Sequence, residues 1–89
     1  MGRSVPPWRT RVESELQGLL PFRRALSTYD QDALDQLCDA VRSRRAAGGM
    51  LPNVGTWQPM LLSMLVGLTA QVRQLSERVR QLEEGRRDD

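Results

Sequence analysis

The stretch PMLLSMLVGLTAQVRQLSERVRQLEE, residues 59–84, decides the fold. Leu61, Leu65, Leu68, Val72, Leu75, Val79 and Leu82 follow one another at alternating steps of four and three residues, without an error. That spacing keeps apolar side chains on one face of an α-helix, and sustained this long it is the heptad pattern of a coiled coil. Leu65, Val72 and Val79 take position a; Leu61, Leu68, Leu75 and Leu82 take position d. Val at a with Leu at d favours two parallel strands. In such a pair Arg78 at g would face Glu83 at e of the other strand, while Arg73, Gln74, Glu77, Arg80 and Gln81 look outward. No proline follows Pro59, which is tolerated in a helix's first turn. A helix is therefore predicted over 57–84, about 40 Å long.

The first half of this helix differs from the second. Met60, Leu61, Leu62, Met64, Leu65, Val66 and Leu68 cover nearly every direction around the axis, and a helix apolar all round must be buried all round. Short upstream helices can cover one side of it, and a second copy of the chain the other. Beyond Ala70 the apolar stripe narrows to the seam alone. The competing arrangement folds the whole seam back onto the chain's own helices.

Upstream, Trp8, Val12, Leu16 and Leu19 or Leu20 recur at helical spacing, with a kink expected near Pro21. Thr28 and Gln31 read as a capping box opening a second helix, and Gly48-Gly49 as its stop. Its stripe is Leu34, Leu37, Cys38 and Val41, which makes Cys38 a buried core residue rather than a nucleophile. Met50, Leu51 and Val54 are expected to pack down from the connection to the third helix. The fold class is thus all-α: two short amphipathic helices on a long C-terminal helix that continues as a coiled coil. The expected division is a flexible arm over 1–7, one helical domain over 8–84 with helices over 8–26, 28–47 and 57–84, and a flexible tail over 85–89.

The bulk properties agree with an assembly. A chain of 89 residues buries a modest core, and small domains make up the deficit with disulfides, metals or partner chains. Cys38 is the one cysteine and there is no His, so neither a disulfide nor a structural zinc site within the chain is expected. Oligomerisation remains.

Enzyme chemistry finds few footholds. There is no His for general-base work, no Lys for Schiff-base chemistry and no Gly-rich phosphate loop ending in Lys-Ser or Lys-Thr. Asp32, Asp35 and Asp39 share a helical face, a row that suits a solvated surface complementing the helix dipole better than a metal site. No catalytic residue, metal or cofactor is expected. All 13 basic residues are Arg. Codon bias explains this as well as phosphate recognition does, and a net charge of +2 is not strongly basic. A nucleic-acid reading rests on Arg9, Arg11, Arg23 and Arg24 around Trp8 and Phe22, with Arg42, Arg44 and Arg45 as an extension. No known reading head accompanies them. MGRSVPPW has no apolar signal core, and the charge-free stretch over 48–70 is broken by Pro52 and Pro59, so no membrane span and a cytoplasmic location are expected.

PFRRALSTYDQDALDQLCDAVRSRRAAG and QPMLLSMLVGLTAQVRQLSERVRQLE, together covering Phe22 to Glu83, resemble a group of small uncharacterised prokaryotic proteins, archaeal ones among them. The shared patterns describe cores and caps, so the resemblance implies the helical fold and transfers no activity. The chain departs from it in charge, since haloarchaeal members would be strongly acidic. The function expected is a non-enzymatic interaction or scaffold module, a homodimer that could also hold another protein. The alternative is a DNA-associated regulator using the N-terminal Arg patch.

Overall fold

In the computed structural model, which describes residues 6–51 and 55–87 (Arg87 by its backbone alone), Pro7 leads directly into α1, Trp8–Gln17. Val12 and Leu16 are buried one turn apart, and Trp8 joins them one turn earlier. The helix stops four residues before Pro21, because a helical carbonyl at Gln17 would meet the proline ring. The single kinked helix expected over 8–26 is therefore two. After a turn at Gly18 and Leu19, α2, Leu20–Ala25, carries Pro21 in its first turn, where no donor is missed.

α3 spans Thr28–Ser43, and its cap lies one residue earlier than the sequence pattern suggests. Ser27 has the extended backbone an N-cap needs, and its hydroxyl accepts the Asp30 N–H at 3.2 Å. Gln31 does not reach back to the cap. Its amide donates to the Arg23 and Leu26 carbonyls at 3.0 and 3.3 Å, closing the end of α2. Arg44 (φ −113°, ψ 22°) interrupts the helix expected to reach residue 47, and α4, Arg45–Gly48, follows as a single turn.

The two glycines have a steric role. Gly49 is right-handed (φ −68°), so no left-handed cap forms there. A Cβ on Gly48 would lie 2.9 Å from the Trp8 ring, and one on Gly49 3.1 Å from it. The indole lies across them and donates from Nε1 to the Arg45 carbonyl at 2.8 Å. Met50 does not pack down as expected; it is 80% exposed, and Leu51 is exposed too, since Trp8 already fills the space above the glycines. Val54 lies outside the described residues.

α5 runs unbroken over Trp57–Arg87, three residues further than the spacing predicts. Its first half lies against α3 and α4, presenting Pro59, Met60, Ser63, Met64 and Gly67 as the buried face. Ser63 is satisfied there by donating to the Pro59 carbonyl at 2.9 Å. The core is small: Val12, Leu16, Val41, Met60 and Met64, ringed by Trp8, Leu19, Leu37, Cys38 and Trp57. From Gln71 to Arg86 every residue of α5 is exposed. The radius of gyration is 17.7 Å, against about 12 Å for a compact chain of this length. The extra length is the projecting half of α5. No strand occurs among the described residues.

Cys38 is half-buried rather than a full core residue, as are Leu34 and Leu37; on this stripe only Val41 is fully buried. The core elements cover the C-terminal half of α3 and leave the rest at the rim. Burial pushes the Cys38 thiol above its ordinary pKa, which leaves little thiolate near neutral pH. Labelling by a thiol reagent should be several-fold slower in native buffer than in denaturant. Equal rates would place Cys38 on an open face.

Candidate functional site

The seam is open along its whole length. Leu61, Leu65, Leu68, Val72, Leu75, Val79 and Leu82 are between 49% and 66% exposed. The arrangement in which the seam folds back onto its own chain is therefore not the one adopted. At about 100° per residue the seam lies roughly a quarter turn from the buried face centred on Met60 and Gly67. The core holds α5 by one side and presents the heptad face beside it. Leu62 and Val66, at positions e and b, are exposed as well. The sequence makes them part of an all-round apolar segment, and five of its seven side chains, all but Met60 and Met64, are exposed.

Charges on α5 divide by face. Arg80 pairs with Glu77 and, at 2.7 Å, with Glu84, all on the side away from the seam. Arg78 at g and Glu83 at e border the seam, and among the described residues neither has an ion partner. Local pairs of the first kind stabilise the helix by a few tenths of a kcal/mol each.

The Arg residues of the nucleic-acid reading do not form one open patch. Arg23 donates two hydrogen bonds to Asp35, both at 2.9 Å, and Arg11 lies over the Trp8 ring, 5.3 Å from its centroid. Arg42 and Arg45 converge on Glu13 from α3 and α4, at 3.1 and 2.8 Å. Arg44 is half-buried beside Gly67 and donates to the Ala40 carbonyl at 3.4 Å. Arg9 and Arg24 remain exposed. Four of the seven cations are thus used by the fold in ion pairs or on an aromatic ring, which sequence alone could not assign because the partners lie up to 32 residues away. Of the aspartate row, Asp35 holds Arg23 and Asp39 lies 3.9 Å from Arg42. No cluster of three or more metal-ligating side chains occurs among the described residues. Nor is any helix among them long and apolar enough to cross a membrane.

Glu13 is the acid of this network. The hydrogen bond from Arg42 chiefly, and the charges of Arg42, Arg45 and Arg9, hold its pKa below the ordinary value against a smaller opposing effect of burial. Its stabilising contribution is complete above about pH 4.5 and fades as pH falls through the lower folded-state value. Glu13→Gln should lower thermal stability at neutral pH and flatten the loss between about pH 5 and pH 3. A variant melting curve parallel to the parent's across that range would contradict this.

Compared with known proteins, residues 1–89 match end to end a domain of unknown function, DUF8156. The chain belongs to that family. No curated protein and no solved structure matches it. The DUF8156 match spans every element described above, the projecting half of α5 included, and names no activity.

Proposed function

We propose that this DUF8156 chain is a non-enzymatic helical interaction module that pairs with a second copy of itself, the projecting half of α5 forming a parallel two-stranded coiled coil. The prokaryotic, partly archaeal setting suggested by the FRRAL and PMLLSML patterns belongs to this reading too. The observation that carries it is the exposed seam. Soluble chains rarely leave a continuous apolar stripe of this length in water, and here it is error-free in register and bordered by Arg78 and Glu83, which have no ion partner among the described residues. Burying one Leu or Val fully is worth about 1.5–3 kcal/mol, so seven half-exposed residues from each of two chains supply a large part of what offsets the cost of association.

Pairing stabilises the folded chain by mass action, so the melting midpoint should rise with protein concentration. Thermal unfolding followed by circular dichroism over a hundredfold concentration range tests this. A midpoint independent of concentration counts against the proposal. The DNA-associated reading is less well supported, because Arg23, Arg42 and Arg45 are engaged by carboxylates. Titration with random duplex DNA at low salt separates the two: tight binding that falls steeply with salt would favour the regulator.

A further inference from the structure

The seam alone is a thin interface. Seven residues a little over half exposed offer on the order of 500 Å² per chain, short of the roughly 800 Å² per partner of a standard stable complex. The missing area must lie beside the seam, and its two edges are unlike. On the g edge α3 lies close by, and Leu68 of the seam also lines a groove of about 190 Å³ with Ala33, Leu37, Ala40 and Gly67. On the e edge no helix among the described residues covers the surface, and the small side chains of Thr69 and Ser76 stand exposed.

Parallel pairing brings the g edge of one helix against the e edge of the other. Resting on the self-association reading, we infer that the second copy seats its α5 in the groove between α3 and α5. In the register that sets Arg78 against Glu83, each chain's e edge at Thr69 and Ser76 then lies against Ala33, Leu37 and Ala40 of the other copy. The occupant is a second copy of this chain on three grounds. The groove shares Leu68 with the seam, so a helix on the seam cannot avoid it. The edge delivered to it, at Thr69 and Ser76, is exposed, small and uncharged, and can enter a shallow groove. The same register brings Arg78 of one copy to Glu83 of the other. The interface is then a three-helix contact made twice, α5 of one copy on α3 and α5 of the other, and α3 belongs to it although the heptad pattern does not include it.

Ala33 is exposed in the single chain, so Ala33→Arg should leave the fold of one chain intact. It should weaken dimerisation at least tenfold by sedimentation, with unchanged helicity. Two cross-links in a Cys38→Ser background separate the possible failures. Val79→Cys should close a disulfide between copies, as parallel in-register helices require. A mixture of Ala33→Cys and Thr69→Cys chains should form a mixed disulfide between copies. A dimer that cross-links through Val79→Cys, yet tolerates Ala33→Arg and gives no mixed disulfide, overturns the groove contact and leaves the coiled coil standing. A dimer without the Val79→Cys link overturns the parallel arrangement and the groove contact with it. A monomeric parent protein removes both readings.

Discussion

Leu75→Asp is expected to give a folded chain that no longer pairs. Leu75 is 63% exposed in the single chain and touches no core residue, so the change costs that chain little beyond the helix propensity of Asp, about 0.7 kcal/mol at most. In a pair it sits at a d position, where both copies lose a leucine and two carboxylates are driven into one dry layer. Each Leu75 has only its 63% exposed surface left to bury, so two lost leucines amount to roughly 2–4 kcal/mol; the charges add to it, and the dissociation constant should rise by at least about a hundredfold. Sedimentation velocity at tens of micromolar reads this directly, with circular dichroism showing the helix retained. Gln74→Asp on the outward face is the control and should pair as the parent does. If Leu75→Asp leaves the mass unchanged, the seam is not the interface.

The second large effect belongs to Gly67, and its sign is opposite to that expected of an exposed helix. In an open helix Gly→Ala gains roughly 0.5–1 kcal/mol, and the sequence invites that substitution. At the crossing of α3 and α5, however, a Cβ on Gly67 would come within 2.6 Å of the Ala40 Cβ, with the Arg44 guanidinium next nearest at 3.4 Å. Ala40 is a methyl group fixed to a backbone and cannot turn aside, so the helices must separate. Overpacking of this kind costs about 1–3 kcal/mol, a fall in melting temperature of roughly 4–8 °C per kcal/mol in a domain of this size. Adding Ala40→Gly should restore part of the loss. Unlike the seam variant, Gly67→Ala acts within one chain, and its cost should persist at every protein concentration. A more stable Gly67→Ala protein would mean that α3 does not approach α5 there.

These two residues mark what the sequence could and could not disclose. The heptad steps from Leu61 to Leu82 are a property of one helix, so α5 and its apolar face were legible before any tertiary information. So was the all-helical class. The end of α1 was less so: Pro21 announces a break, but its ring acts four residues upstream, which moves the break from residue 21 to Gln17. The cap of α3 was misplaced by one because Ser27 and Thr28 are both competent caps, and the turn from α2 chooses between them. Gly48-Gly49 reads as a helix stop by composition, whereas its role is clearance for an indole some forty residues earlier in the chain. Gly67 reads as a weak spot and is a close approach. The Arg residues divide between ion pairs and solvent by contacts such as Glu13 with Arg45, which no local pattern encodes. The α3–α5 groove has only a faint trace in the sequence, the small residues Ala33, Ala40 and Gly67, which gain meaning once the helices cross.

Sedimentation equilibrium of the unmodified chain tests the central claim most directly. With the seam open in the single chain, the weight-average mass should approach twice 10.1 kDa at tens of micromolar and fall toward 10.1 kDa on dilution. A single species of 10.1 kDa throughout would contradict it, and the exposed face of α5 would have to be explained without a second copy.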